Sequence, residues 1–217
     1  MKKIVAMFFV LCSAHFARAQ RQVPIVLNVY GGYTFADRIN LGNYYNYNNY
    51  GYIEDDGQWG GSIEAFVDKQ RSVELSYQYM GTHADFYDWQ GQTNHKDDAA
   101  SIQYIMIGGN NYLPTNSNIL PYGGIGLGLG IAHFNYYDDG GSSTLTKFAW
   151  NLHLGVKIKT QSTVAFKLQA YLQSIVQGVG VGVGFGTGGA GAGVTTYSTM
   201  LQFGLGGGIS FAIGHRK

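Results

Sequence analysis

Residues 58–81 read QWGGSIEAFVDKQRSVELSYQYMG. Trp59, Ile63, Ala65 and Val67 take alternate positions before a short charged turn, and Val73, Leu75, Tyr77 and Tyr79 do so after it. Gln58, Ser62, Glu64, Glu74, Ser76 and Gln78 fill the other set, with Phe66 as the exception. A period of two is the signature of a β-hairpin with one apolar and one polar face. In a water-soluble protein the apolar face of such a hairpin is the core. In a membrane barrel it points outward, into lipid.

Bulk composition bears on that choice. Charged residues make up 12% of the 217-residue chain, about half the usual share for a soluble domain. Glycine is abundant at 33 residues, and aromatic content reaches 15% with 17 Tyr. A formal net charge of +1 gives a nucleic-acid partner no electrostatic support. The N-terminus reads as a signal peptide over residues 1–19. Lys2 and Lys3 precede the apolar run Ile4–Cys12, and Ala17-Arg18-Ala19 forms an A-x-A cleavage site before Gln20. Removing 19 residues leaves one domain over 20–217, with 11 basic and 13 acidic residues and a net charge of −2. The only cysteine, Cys12, leaves with the peptide, so the remaining chain has no disulfide framework. No later stretch offers 18 consecutive apolar residues, so no helical span is expected.

Alternation repeats along the chain and predicts eight strands: about 24–35, the two strands of the opening hairpin, then about 99–109, 120–134, 146–158, 163–177 and 197–213. Ile125, Leu127, Leu129 and Ile131 oppose Gly124, Gly126, Gly128 and Gly130. Leu201, Phe203, Leu205, Ile209, Phe211 and Ile213 oppose Gln202, Gly204, Gly206, Gly208 and Ser210. On the fourth strand Ala100, Ile102, Tyr104 and Met106 are assigned to the apolar outer face and Gln103 to the inner one. Connections alternate in length. Those at 36–57, 83–98 and 178–196 are long and the one at 135–145 is longish; the turns at 68–72 and 159–162 are short, and the linker at 110–119 is intermediate. Short turns at one end and long loops at the other fit an antiparallel up-and-down transmembrane β-barrel. A soluble eight-stranded lipocalin would carry many Lys and Glu on its wet face. Here that face is mainly Gly, Ser, Gln, Asn and Thr, which suits a confined lumen. Phe35, Trp59, Phe148 and Trp150 near the loop end, with Phe166 and Phe211 near the turn end, suggest two aromatic girdles.

The segments YGGYTFADRINLG, GGNNYLP, LPYGGIGLGLGI and TKFAWNLHLGVKIK resemble single-domain members of the small OmpA/OmpX-like outer-membrane β-barrel family. The last strand, GGGISFAI, resembles the C-terminal signal read by the outer-membrane insertion machinery. Gly208, Phe211 and Ile213 match its glycine and its two final hydrophobic slots. Ile213 departs from the second aromatic, and Gly214-His215-Arg216-Lys217 follows it. The resemblance implies the outer membrane of a Gram-negative bacterium, with lipid, lipopolysaccharide and the insertion machinery as partners. A monomer is expected.

Few residues suggest chemistry. Gly184, Gly186 and Gly189 form a literal G-x-G-x-x-G, but no strand–turn–helix context surrounds them, and a flexible outer loop is the expectation. Histidines are scattered without a metal-ligand spacing, and no cofactor or metal is expected. An alternative reading is a lipid-modifying enzyme that uses His83 or His133 with Ser142 or Asp85 at the outer rim. Tyr44, Tyr45, Tyr47, Tyr50 and Tyr52 lie among asparagines in the first loop, a composition shared with binding loops. The acidic pairs Asp55-Asp56, Asp97-Asp98 and Asp138-Asp139 are assigned one to each of the first three outer loops, where they offer weak capacity for divalent cations. The main reading is a non-enzymatic surface barrel with a plugged lumen. Glu64, Glu74, Lys157 and Lys167 are expected to form an ion network there, with Glu74 opposite Phe66 and Lys167 opposite Gly155.

Overall fold

The computed structural model describes residues 24–44, 47–87, 93–135, 141–186 and 189–213. They form ten strands: β1 (Ile25–Thr34), β2 (Asp37–Tyr44), β3 (Tyr47–Ile53), β4 (Asp56–Phe66), β5 (Arg71–Tyr87), β6 (Thr93–Tyr112), β7 (Ile119–Asn135), β8 (Ser142–Lys159), β9 (Val164–Gly186) and β10 (Gly189–Ile213). β1 pairs antiparallel with both β4 and β10, and the β5–β6 pairing closes the ring. The barrel is therefore a closed, up-and-down wall of eight strands: β1 and β4 to β10.

β2 and β3 replace the expected polar loop at 36–57. β3 continues β4 along the same neighbour, pairing Tyr50 with Tyr87 and Ile53 with Ala84 of β5. β2 runs on from β1 beside β10, where the Leu201 N–H donates to Asp37 Oδ2 at 2.6 Å. The neighbouring strands are long: 17 residues in β5 and 25 in β10, where about 9–11 cross a bilayer. Backbone groups beyond the membrane need partners; β3 supplies a ladder to β5, and Asp37 of β2 caps one N–H of β10. The expected loops at 83–98 and 178–196 are likewise strand over most of their length. Gly184 and Gly186 end β9 and Gly189 begins β10, so the glycine motif belongs to a hairpin and not to a flexible loop.

The outer wall is apolar. Val29 is 58% exposed, Trp59 59%, Leu154 62% and Ile107 61%. Toward the loop end Phe35 stacks on Phe203 with centroids 5.6 Å apart, and Trp59 lies 5.5 Å from Tyr79. Phe166 and Phe211 are exposed near the turn end.

One strand shows the opposite face from that expected. Ala100, Ile102, Tyr104 and Met106 are buried inside the barrel, and Ile105 and Ile107 face out. Gln103 is therefore on the outer wall, where it accepts a hydrogen bond from Tyr77 at 3.2 Å. The cause is volume. β6 sets Tyr104 opposite Gly130 and Met106 opposite Gly128, so the large inward side chains come from one strand where the next contributes none.

Two cross-strand registers also differ. Val67 and Asp68 donate their N–H groups to the Arg71 carbonyl. This turn places Phe66 opposite Ser72 and Glu64 opposite Glu74. Between β8 and β9, Lys157 lies opposite Lys167, and Gly155 opposite Gln169. Alternation fixes the face of each residue but not the loop length that sets its partner.

Candidate functional site: the filled lumen

From turn end to loop end, the inward side chains form three layers. The layer nearest the turns is charged. Lys167 Nζ donates to Glu64 Oε2 at 3.1 Å, and both side chains are buried, at 1% and 0% exposure. Glu64 also accepts from Ser72 and Tyr112 hydroxyls at 2.6 Å each, and from the Asn110 and Asn28 amides at 3.1 and 3.3 Å. Glu74 takes only neutral donors: Tyr30, Ser62 and, at 2.6 Å, Asn110 Nδ2. Because Asn110 gives its amino group to both carboxylates, its Oδ1 is the acceptor for His153 Nε2 at 2.6 Å. The imidazole therefore carries its proton on Nε2.

The four charged residues expected to meet do share this chamber, but one ion pair forms among them. Lys157 Nζ sits 5.3 Å from the centre of the Phe66 ring and 5.4 Å from that of Tyr112. Lys167 Nζ is 5.8 Å from the same Tyr112 ring and 5.0 Å from Tyr122. Phe66, Tyr112 and Tyr122 stand in a row at 5.4 and 5.2 Å. These rings lower the cost of holding two ammonium groups in one chamber.

The middle layer is built of amides. Gln58 Nε2 donates to Gln78 at 2.8 Å, Gln173 Nε2 to Gln58 at 2.9 Å, and Tyr104 Oη to Gln202 at 2.9 Å. Thr34 Oγ1 donates to Gln58 Oε1 at 2.7 Å and lies 2.9 Å from Tyr171 Oη. Glycine makes this layer fit: a Cβ at Gly204 would fall within the Tyr171 ring. The layer toward the loops is apolar, with Ile53, Met80, Ile102, Met106, Ala132, Ala149, Ile175 and Met200 in one buried cluster. Sequence reading gave no sign of this lid, because Met80 and Met106 sit in strands whose outer face is apolar as well.

Of the alternative catalytic set, His83 and Ser142 are not brought together. His133 Nδ1 lies 2.7 Å from Thr144 Oγ1 and its Nε2 3.1 Å from Asn135 Oδ1. His83 is opposite Ala99, Ala99 opposite Asn135, and Asn135 opposite Ser142. Three strand steps at about 4.8 Å each put Ser142 roughly 14 Å from His83, beyond hydrogen-bond reach. Asp85 accepts from Tyr87 at 3.1 Å. Both histidines are on strands, not loops.

Of the tyrosine cluster, Tyr52 is 41% exposed and lies edge-on to Tyr87 at 6.0 Å. Tyr44 pairs with Tyr47 across the β2–β3 hairpin. Tyr45 and the side chains of Tyr44, Tyr47 and Tyr50 lie outside the described residues. Asp98 is buried on β6, which removes Asp97-Asp98 from the loop pairs, and Asp138-Asp139 lie outside the described residues. No cluster of three metal-ligating His, Cys, Asp or Glu occurs among the described residues. The expected signal peptide, residues 1–19, also lies outside them.

A family model described as "Outer membrane protein beta-barrel domain" matches residues 4–170. Among solved structures the chain is similar to Neisserial surface protein A, at 14% identity, covering 88% of this chain and 97% of that one, with a TM-score of 0.55. It is also similar to the outer membrane protein OprG from Pseudomonas aeruginosa, at 13% identity, with 88% and 97% coverage and a TM-score of 0.56. No curated protein matches the chain.

Proposed function

We propose a non-enzymatic, non-conducting surface role for this chain, which belongs to the outer-membrane protein β-barrel family of Gram-negative bacteria. The barrel anchors a raised wall of strands above the membrane, and its outer end serves adhesion, ligand contact or envelope structure. The observation that carries this reading is the filled lumen: a charged layer, an amide layer and an apolar lid occupy successive levels of a barrel just wide enough for side chains. Strands of 17 to 25 residues in β5 to β10 support the raised wall. The tyrosine-rich β2–β3 hairpin is the assigned contact element, and lipopolysaccharide is the anionic surface around it. In this reading the chain is exported by cleavage after Ala19 and inserted through β10.

The test is a deletion strain, complemented with wild type or with a chain whose 39–50 tip is replaced by Gly-Ser. Surface adhesion or envelope integrity should fall on deletion, and the tip-replaced chain should fail to restore it. Membrane lipid mass spectra should be the same in all strains. A lipid species that disappears on deletion and returns with the wild-type gene would favour the enzyme reading.

A further inference from the structure

The two ends of the barrel differ in charge. At the turn end, counting the charged layer just inside it, the described residues include five cations, Lys69, Arg71, Lys157, Lys159 and Lys167, against three carboxylates, Glu64, Asp68 and Glu74. At the loop end Asp37, Glu54, Asp55, Asp56, Asp85 and Asp98 face Arg38 and Lys147. Arg71 is paired with Asp68 at 2.7 Å and its side chain is 72% exposed. Lys69 and Lys159 are exposed.

Lys157 stands apart from the others. Its side chain is held two residues inside the β8 end, and the residue is 7% exposed. Its ammonium contacts the Phe66 and Tyr112 rings. Among the described residues no carboxylate lies within 4 Å of it and no hydrogen-bond acceptor meets it. An ammonium has three N–H donors, and two aromatic faces satisfy none of them as an oxygen would. The neighbouring carboxylates are occupied elsewhere, Glu64 by Lys167 and Glu74 by neutral donors. None of the described residues supplies that acceptor, and Lys157 Nζ is not among the enclosed unpaired atoms, so it stays open to a group arriving through the mouth between the turns. Lys159 shares the inward parity of Lys157 on β8 and stands at the lip of that mouth.

We propose that the turn-end mouth is a docking site for a carboxylate-bearing acidic peptide on the periplasmic side. A carboxylate enters along the barrel axis and accepts from Lys157, while Lys159 and Lys69 attract the flanking acidic groups. An axial approach favours a peptide over a lipid headgroup, because Lys157 and Lys159 face the mouth and not the outer wall.

The protein, folded in uncharged maltoside micelles, is titrated with fluorescently labelled hexaglutamate, and anisotropy is read at 50 and 300 mM NaCl. Saturable binding is expected at 50 mM, weakened on the order of tenfold at 300 mM as the Debye length shortens. Lys157→Met keeps the side-chain length and should weaken binding roughly five- to tenfold. Lys159→Gln, at an exposed position, should weaken it about two- to fivefold, and Lys147→Gln at the loop end should leave it unchanged. Boiled and unboiled gel mobility checks that each variant is folded. If Lys157→Met does not fold, Lys159→Gln against Lys147→Gln decides. Absence of saturable binding at 50 mM would overturn the proposal, as would equal affinity of the Lys159 and Lys147 variants. It also fails if nanodiscs containing anionic phospholipid, and not the peptide, show the Lys157 and Lys159 dependence, because the site would then serve lipid headgroups.

Discussion

Replacing Lys167 with Met should cost about 3 kcal/mol of stability, and replacing Glu64 with Gln at the same time should restore most of it. The reasoning starts from burial: the two side chains are 1% and 0% exposed. Removing one partner of a buried ion pair strands the other charge, at a cost of about 3–5 kcal/mol. The lower part of that range applies because Glu64 keeps four neutral donors, from Ser72, Tyr112, Asn110 and Asn28. Glu64→Gln alone strands Lys167, but three rings, Tyr30, Tyr112 and Tyr122, lie within 5.8 Å of its Nζ. That variant should lose about 2 kcal/mol, with cation–π contacts offsetting part of the penalty. In the double variant no charge is stranded, so it should fall within about 1 kcal/mol of wild type, giving a coupling of roughly 4 kcal/mol across the cycle. Reversible urea unfolding in thin-bilayer vesicles, followed by tryptophan fluorescence, measures all four proteins. A Lys167→Met loss below about 1 kcal/mol, or a double variant equal to the sum of the singles, would show that the pair is not electrostatically isolated from solvent.

Other expectations follow from the packing. Gly204→Ala drives a methyl into the buried Tyr171 ring, which Thr34 holds in place, and should cost about 1–3 kcal/mol. Gly31→Ala, with nothing within 4 Å of the new carbon, should change unfolding by no more than about 0.5 kcal/mol. Planar-bilayer recordings of purified protein should show no stable conductance; steady single-channel currents would mean that the three layers do not seal the lumen. Asp68 accepts the N–H of Gln70 first, then the Arg71 side chain and N–H, and these hold its carboxyl below the usual carboxylate range. A depressed folded-state value contributes stability that is present above the unfolded value, about 3.9, and is lost as pH falls through the lower folded value. Urea midpoints of wild type and Asp68→Asn should therefore differ at pH 6 and converge toward pH 2; a gap that stays constant would exclude this origin.

Much of the fold was legible because lipid and lumen impose opposite demands on alternate residues. β1, β4, β5, β7, β8, β9 and β10 obeyed that rule along their membrane-crossing parts, so exposure of Val29, Trp59 and Leu154 matches the period-two reading. The wall above the membrane did not, because there both faces meet water and alternation carries no signal. Residues 37–53 look like a polar loop for that reason, yet their backbone is needed to pair β5 and lie beside β10. The lumen chemistry was legible as composition but not as pairing. Two glutamates and two lysines could be placed inside from parity alone. Their partners depend on the tight turn after Phe66 and on which neutral donors reach Glu74, and neither appears in a pattern of alternate residues.

β6 gives the most general lesson, since polarity pointed the wrong way there. Ser101 and Gln103 look like lumen residues, and Ile102, Tyr104 and Met106 look like lipid residues, when the strand is read alone. Read beside β7, the same strand has a different answer. Gly124, Gly126, Gly128 and Gly130 leave one side of the lumen without side chains, and Gly130 and Gly128 lie opposite Tyr104 and Met106. Were β6 turned over, Ser101 and Gln103 would face this space, leaving a void that the amide layer could not bridge, and the loss of packing would outweigh the exposure of one glutamine to the headgroup region. Gln103 in fact accepts from Tyr77 on the outer wall, which lowers that exposure cost. In an eight-stranded barrel, then, the volume a neighbour leaves empty decides which face of an ambiguous strand turns inward. Emptying the inner face of β6 tests this directly: Met106→Gly should cost about 2–5 kcal/mol in reversible urea unfolding, whereas Ile105→Gly on the outer wall should cost less, and equal losses would refute the volume argument.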